Sequence, residues 1–145
     1  MTDAVNTQTM RTPSPAVPLP TATWRDEPAE HDYPAAANYL SLIATDDVVN
    51  DLIARMRKAP VQHFRVNDIL RASDLPLLAM SDERVKGDLA KVVAGKQLSP
   101  VLVVRGDIST GRKLTIADGY HRICASYHLS EATYIPVKIV DIKHS

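Results

Sequence analysis

The sequence predicts an α+β domain in which a mixed β-sheet follows a pair of helices. An amphipathic helix is indicated by apolar residues at helical spacing, namely Val48, Val49, Leu52, Ile53 and Met56. A strand covered on both faces is indicated by the continuous apolar run Val101–Val104. Two further β-rich runs lie at residues 114–117 and 134–142, on either side of a helical pattern. The predicted order of elements is therefore α-α-β-α-α-β-β-α-β.

The chain divides by composition into three segments. Residues 1–31 hold five of the ten prolines and lack a periodic apolar pattern, so we expect a disordered tail. Trp24 is the exception in this segment, and it is interpreted either as an anchor that docks on the protein or a partner, or as a solvated aromatic. Residues 32–59 form a predicted helical extension, and residues 60–145 form the mixed-sheet domain.

Helix limits are predicted from capping residues and helix breakers. Asp32 and Thr45 are placed to cap the two helices of residues 33–58, which end before Pro60. Ser81 is expected to cap the next long helix, which has acidic residues in its first turn and a natural stop at Gly95. Between these helices, residues 61–66 are predicted to form a strand that leads into a short helix.

Composition restricts the classes of function. The 17 basic and 17 acidic residues balance, and residues 60–145 carry only a mild surplus of twelve basic against nine acidic residues. DNA binding and nuclease activity are therefore weakly supported. The single cysteine excludes an internal disulfide framework and a multi-cysteine zinc site, and the five histidines show no ligand spacing, so no metal site is expected. Without a visible signal peptide or apolar span, the expected location is the cytoplasm, away from membranes.

The turn Asp118-Gly119-Tyr120-His121-Arg122 is the strongest candidate site. A strand ends at an Asp-Gly pair, and the following helix carries His121 and Arg122 in its first turn. The free N–H groups of a helix start carry partial positive charge, so two cationic side chains beside them are unfavourable unless an anion is bound. A phosphate is the predicted ligand. Asp118 is a candidate catalytic residue that positions a metal or a substrate hydroxyl, or alternatively a helix cap.

Three stretches in order resemble the ParB/sulfiredoxin superfamily. They are a helix ending in Gly95 before Pro100-Val-Leu-Val-Val, the turn Asp118-Gly-Tyr-His-Arg-Ile-Cys-Ala, and Ile135-Pro-Val-Lys-Ile-Val. The resemblance covers about residues 60–141 and implies a ParB/sulfiredoxin-like domain that grips nucleotide phosphates. It implies ATP, ADP or CTP as ligand, with Mg²⁺ in a phosphoryl-transfer branch. The implied nucleotide-contacting residues are Gly119, Tyr120, His121, Arg122, Ser99 and Pro100.

Departures from the superfamily pattern narrow the expected activities. Tyr120 occupies the position of the sulfiredoxin nucleophilic cysteine, and Cys124 falls on an apolar helix face, so sulfiredoxin activity is not expected. No helix-turn-helix reader follows the domain before Ser145, so ParB-like loading on DNA is not expected either. A catalytic base is not identified by motif, and the positional candidates are Glu30, Asp68, Asp74 and Glu83.

Two functions of different class remain. The first is a nucleotide-binding protein, either an NTPase or a small-molecule kinase, with phosphates at the Gly119 turn. The second is a non-catalytic ParB-like module that binds protein or nucleic acid and forms a homodimer through the helices of residues 33–58.

Overall fold

A computed structural model describes residues 19–143. These residues form five helices and four strands in the predicted order, and the α+β class is confirmed. The helices are α1 (Asp32–Leu40), α2 (Asp46–Lys58), α3 (Val66–Ser73), α4 (Glu83–Val93) and α5 (Tyr120–Leu129). The strands are β1 (Gln62–Arg65), β2 (Val101–Val104), β3 (Thr115–Asp118) and β4 (Tyr134–Val140). Residues 1–18 of the predicted disordered tail lie outside the described residues.

The four strands form one mixed sheet in the order β1-β4-β2-β3. β4 is antiparallel to β1 and parallel to β2, whereas β2 and β3 are antiparallel neighbours. The register places Val101 opposite Val137 in the parallel pair and Leu102 opposite Asp118 in the β2–β3 pair. The amino-terminal end of β2 therefore lies beside the carboxyl end of β3, where the predicted phosphate turn begins.

Both faces of the sheet are covered, which explains the continuous apolar run in β2. Val101 and Val103 face a core shared with α3, α4 and α5. Leu102 and Val104 face a second core shared with α1 and α2. Because successive strand residues point to opposite faces, a strand between two layers must be apolar at every position. The N-terminal helices thus form one complete layer of the domain.

The apolar stripe of α2 is mostly used inside the protein. Val49, Leu52 and Met56 are buried in the core that α1 and α2 share with the sheet. Each such side chain contributes about 1.5–3 kcal/mol by leaving water. A homodimer through these helices would therefore use residues outside this buried stripe.

The helix starts differ in detail from the predicted caps. Asp82, and not the predicted Ser81, caps α4, because its side chain accepts hydrogen bonds from the backbone N–H groups of Arg84 and Val85. Thr45 occupies the predicted N-cap position of α2 but makes no side-chain capping bond. Asp32 lies inside the first turn of α1, after His31, and its side chain is buried. Its carboxylate accepts a hydrogen bond from Ser99 inside the protein and does not cap the helix.

Residues 19–31, assigned from composition to the tail, are described, and part of this stretch pairs with the domain. Trp24 forms a parallel β-bridge with Leu98, and the backbone bonds from Arg25 N–H to Leu98 O and from Leu98 N–H to Thr23 O are both 2.8 Å long. The Trp24 side chain packs against the core of α3, α4 and α5. These contacts agree with the interpretation of Trp24 as an anchor that docks on its own domain.

A buried lysine also holds this segment. Lys138 on β4 is only 1% exposed, and its Nζ lies 2.8 Å from Glu27 Oε1. Nζ also donates to Tyr33 Oη at 3.3 Å and to Arg57 O at 3.1 Å. Burial lowers the pKa of Lys138, but the bonds to Glu27 and Tyr33 outweigh burial, and the net pKa is raised. The lysine therefore stays charged and links the N-terminal segment to the middle of the sheet.

None of the helices within residues 19–143 combines the length and the apolar character that crossing a membrane requires.

Candidate functional site

The turn between β3 and α5 consists of one residue, Gly119, with φ +113° and ψ +16°. A Cβ at this position would lie 2.4 Å from Val101 Cγ1 and 2.9 Å from an Arg122 guanidinium nitrogen. Residues with a side chain rarely adopt this backbone conformation, and the space is also closed to them. Glycine therefore lets the strand pass into the helix while the backbone lies directly against β2.

Arg122 and Asp118 form an ion pair at this turn. The Arg122 Nη2 to Asp118 Oδ2 distance is 2.8 Å, and the two side chains are 16% and 19% exposed. Arg122 Nη2 also lies 3.7 Å from Asp32 Oδ2. The Nε–H of Arg122 is buried and has no acceptor among the described residues. The arginine thus faces two carboxylates and keeps one donor without a partner.

Asp32 reaches this cluster because α1 packs on the sheet beside β3. Its carboxylate accepts a hydrogen bond from Ser99 Oγ and lies 3.3 Å from His31 Nε2. Ser99 Oγ in turn accepts a bond from the Ala29 N–H at 2.9 Å. Sequence reasoning missed Asp32 as part of the site. An Asp at a helix start looks the same in sequence whether it caps the helix or points inward, so the sequence carried no distinguishing signal.

Burial raises the pKa of the Asp118 carboxyl above its ordinary value. Arg122 opposes this effect by charge and by its hydrogen bond, and the nearby Asp32 carboxylate raises the pKa further. Asp118 is therefore protonated at a higher pH than a solvated aspartate. When ionised, a carboxyl group of this kind is a stronger proton acceptor than an ordinary aspartate.

A cleft of about 370 Å³, here called the α4–α5 cleft, opens at the start of α5. Its residues come from the exposed face of α4 and from the Gly119 turn, and they are Arg84, Gly87, Asp88, Lys91, Asp118, Gly119, His121 and Arg122. The α4 residues have the spacing i, i+3, i+4, i+7 of a single helix face. Sequence reasoning missed this face, although a polar stripe with a central glycine was visible in the sequence.

The structure brings some of the predicted site residues together and separates others. Asp118, Gly119, His121 and Arg122 all line the α4–α5 cleft. Tyr120 instead packs against the core, and its hydroxyl donates to Pro76 O. Ser99 and Pro100 are buried, and the Ser99 hydroxyl is bonded to Asp32 and Ala29.

The carboxylates suggested by position as catalytic bases lie elsewhere. Glu30 forms an ion pair with Arg57 at 2.6 Å. Asp68 lies within 3.4 Å of Arg71 and 3.3 Å of Arg65. Asp74 is the left-handed residue that ends α3, and Glu83 is the first residue of α4. The lining carboxylates are Asp88 and Asp118.

Cys124 supplies no reactive thiol at the turn. Cys124 is fully buried on α5, and burial raises the pKa of its thiol. A raised pKa keeps the sulfur in the unreactive thiol form. Within residues 19–143, groups of three or more His, Cys, Asp or Glu that could hold a metal ion are absent. The groups that can bind a ligand or exchange a proton at this site are therefore the charged side chains around Gly119.

Ser99→Ala is expected to reduce the free energy of unfolding by about 1–3 kcal/mol, since it leaves the buried Asp32 carboxylate and the Ala29 N–H without the serine hydroxyl. Urea unfolding followed by circular dichroism measures this loss. Ser41→Ala removes an exposed hydroxyl bonded to Asn38 O and is the matched control, with an expected change within about 0.5 kcal/mol. Equal losses in the two variants would contradict the assigned role of Ser99.

Comparison with known proteins finds no match to this chain among protein-family models, curated proteins or solved structures.

Proposed function

We propose that this protein has a ParB/sulfiredoxin-type fold and binds a nucleotide, with the phosphate group in the α4–α5 cleft at the Asp118–Arg122 turn. The observation that carries this proposal is the convergence of Arg84 and Lys91 from α4 with His121 and Arg122 from α5 on one cleft. The two helices are separated in the chain by β2 and β3, and both contribute donors beside the Gly119 turn. The expected nucleotides are ATP, ADP and CTP.

The charge distribution of the cleft suits a phosphate. Arg84, Lys91 and Arg122 supply three permanent cations against the carboxylates Asp88 and Asp118, and His121 adds a donor. Lys91 already has one carboxylate neighbour, Asp88 at 3.7 Å, and Arg122 has two, Asp118 at 2.8 Å and Asp32 at 3.7 Å. A phosphate carries two or more negative charges with several acceptor oxygens, so it can engage donors that a single carboxylate leaves unused.

The shape of the cleft also suits a ligand that lies over α4. Gly87 is in the middle of the exposed α4 face, and nothing lies within 4 Å of where its Cβ would be. Glycine in a helix interior costs about 0.5–1 kcal/mol relative to alanine. At this position it lets a ligand approach the helix backbone between Arg84 and Lys91.

We propose that Asp118 is the catalytic residue, and that the reaction is either NTP hydrolysis or phosphoryl transfer to a small molecule. Its raised pKa makes it a suitable acceptor for the proton of an attacking water or hydroxyl. Mg²⁺ is commonly held by one or two carboxylates together with substrate phosphates, and Asp88, the other carboxylate of the cleft lining, would supply such a ligand. When bound, the ion would neutralise phosphate charge, while Arg122 keeps Asp118 oriented at 2.8 Å.

Sulfiredoxin chemistry is not part of this proposal. Tyr120 stands where that reaction needs a cysteine, and its side chain is directed to the core and Pro76. Cys124 is buried and has a raised thiol pKa, so it does not replace the missing nucleophile.

Calorimetric titration with ATP, ADP and CTP, each with and without Mg²⁺, tests binding. We expect saturable binding of at least one nucleotide, weakened by added salt because the contacts are ionic. The corresponding nucleoside without phosphate is expected to bind much less tightly. Absence of binding at about 1 mM of all three nucleotides, a concentration at which even a weak complex of about −4 kcal/mol is half formed, would refute the proposal.

Lys91→Ala is expected to weaken nucleotide binding about fivefold, because one exposed cation near a phosphate is worth about 1 kcal/mol. Lys86→Ala is the matched control, because Lys86 is an exposed lysine on the same helix that does not line the cleft. Calorimetry on the two variants separates the effect of the position of the lysine from the effect of losing one positive charge. An equal loss of affinity in both would place the phosphate outside the α4–α5 cleft.

The second candidate function is a non-catalytic ParB-like module that acts as a homodimer through the helices of residues 33–58. The observation in its favour is exposed apolar surface at the end of α1 and in the following turn, where Leu42 is 81% and Ile43 is 59% exposed. Light scattering of the wild type and of a Leu42→Lys, Ile43→Lys double variant tests it. A dimer that becomes a monomer in the variant supports this function, and a monomeric wild type refutes it.

A further inference from the structure

A second cavity lies away from the α4–α5 cleft, beneath the hairpin of residues 105–114 that joins β2 to β3. Here called the hairpin cavity, it has a volume of about 460 Å³, which is within the range of small-molecule pockets. The hairpin begins where β2 ends at Val104, whereas the Gly119 turn lies at the start of β2. The two sites therefore lie at opposite ends of the same strand.

The interior of the hairpin cavity is apolar. Its floor is the sheet face formed by Val103, Val137 and Ile139, and its wall includes Ile69 of α3 and Leu114 of the hairpin. The Leu114 N–H donates to Ala72 O at 3.0 Å, which holds the hairpin against α3. A hydrocarbon chain or an aromatic ring placed there would leave water and contact aliphatic side chains.

The rim of the cavity carries three basic residues, Arg105, Arg112 and Lys113, and two carboxylates, Asp68 and Asp107. The rim carboxylate Asp68 lies 3.3 Å from Arg65 and 3.4 Å from Arg71, and Arg105 lies 2.6 Å from Asp141. Asp107 Oδ1 accepts hydrogen bonds from the Ser109 N–H at 2.9 Å and from Ser109 Oγ at 2.6 Å. Arg112 and Lys113 are the other two basic residues of the rim.

Arg112 adds a polar group that lacks a partner. Its Nε–H is buried without an acceptor in the described part of the chain, and its Nη2 reaches Arg105 O only at 3.5 Å. Buried donors normally have a partner, so Arg112, which lines the cavity, has donor capacity that the described residues do not use.

We propose that the hairpin cavity binds a largely apolar small molecule with one carboxylate, such as a medium-chain fatty acid. The apolar part lies over Val103, Val137 and Ile139, and the carboxylate lies at the rim with Arg112 and Lys113. This site is independent of the nucleotide, because none of its lining residues lines the α4–α5 cleft.

Displacement of the fluorescent probe 8-anilinonaphthalene-1-sulfonate by decanoate, compared with decanol, tests the proposal on the full chain. Decanoate is expected to bind at least about tenfold more tightly than decanol, the ratio that one added ionic contact of about 1.4 kcal/mol provides. Lys113→Glu should remove most of this preference and leave decanol binding unchanged. Lys86→Glu, on α4 and outside the cavity, is the matched control and should behave as the wild type.

A cavity-filling variant locates the ligand. Ala72 is exposed on α3 and lines the cavity, so Ala72→Trp adds bulk there without replacing a core residue. Decanoate affinity should fall at least about tenfold in this variant, while Ala90→Trp on the exposed side of α4 leaves it unchanged. Wild-type decanoate binding in Ala72→Trp, equal affinities for decanoate and decanol, or no saturable displacement by about 1 mM decanoate would each overturn the proposal. If Ala72→Trp does not fold, Lys113→Glu alone decides.

Discussion

Gly119→Ala is expected to lower the free energy of unfolding by roughly 2–6 kcal/mol. About 1–3 kcal/mol comes from forcing an alanine into the backbone conformation at φ +113°. A similar amount, about 1–3 kcal/mol, comes from placing its Cβ against Val101, which is fully buried between the sheet and α5. Because natural domains are stable by only about 5–15 kcal/mol, urea unfolding should detect this change easily.

Two other glycines separate the causes of this loss. Gly111 also has a positive φ, +79°, but nothing lies within 4 Å of its hypothetical Cβ, so Gly111→Ala reports the backbone cost alone. Gly87 is in an open helix position, and Gly87→Ala should stabilise the protein by about 0.5–1 kcal/mol. If Gly119→Ala costs no more than Gly111→Ala, the contact with Val101 is not what requires glycine at the turn.

Arg122→Met is expected to abolish nucleotide binding and to destabilise the fold by about 3–5 kcal/mol. The methionine keeps most of the side-chain volume but removes the guanidinium, whose Nη2 lies 2.8 Å from Asp118 and 3.7 Å from Asp32. The two carboxylates then face each other without a cation. Removing one partner of a largely buried ion pair leaves an uncompensated charge, which accounts for this magnitude. Calorimetry measures the loss of binding, and urea unfolding at pH 7 measures the loss of stability.

The pH dependence of Arg122→Met provides a second readout. Arg122 lowers the pKa of Asp118, so its removal should raise that pKa further above the ordinary value. A carboxyl whose pKa is higher in the folded than in the unfolded protein binds more protons when folded. Its stabilising contribution is complete below the unfolded pKa and is lost as the pH rises through the folded pKa.

As the pH rises above the ordinary pKa of an aspartate, the variant should therefore lose more stability than the wild type does. Double replacement by Arg122→Met and Asp118→Asn should remove the extra dependence, because it deletes the titrating group. Parallel pH profiles for the wild type and Arg122→Met would show that Asp118 is not electrostatically coupled to Arg122.

The sequence was sufficient for the order of elements because local patterns determined it. The alternating burial of Val101 and Leu102 on opposite faces appears in sequence as one apolar run, and the helical stripe of α2 appears as a repeat. Gly119 was predictable as a turn because the strand ended there and a helix began. These features depend on neighbours along the chain and need no knowledge of long-range contacts.

The residues that sequence reasoning placed wrongly or missed depend on long-range packing. Asp32 looks like a helix cap, and only the packing of α1 beside β3 directs its carboxylate to Ser99 and Arg122. Arg84 and Lys91 look like an ordinary solvated helix face until α5 begins next to them. The segment around Trp24 has the composition of a disordered tail. It is ordered by its pairing with Leu98, which lies more than seventy residues away in the chain, so composition does not reveal it.

The position of β4 in the sheet has a consequence for synthesis of the protein on the ribosome. β4 is the last described strand in sequence, yet it lies inside the sheet and pairs with both β1 and β2. During translation, β1 has no partner among the described strands until residues 134–140 emerge, and of the four described strands β2 and β3 alone are paired before then. Completion of the sheet is thus delayed to the end of this region, and its slow, non-local pairings then form together. Stalling translation before β4 should leave α1 and α2 without the finished surface on which they pack, so the apolar residues of that core should stay more exposed to water than in the complete domain.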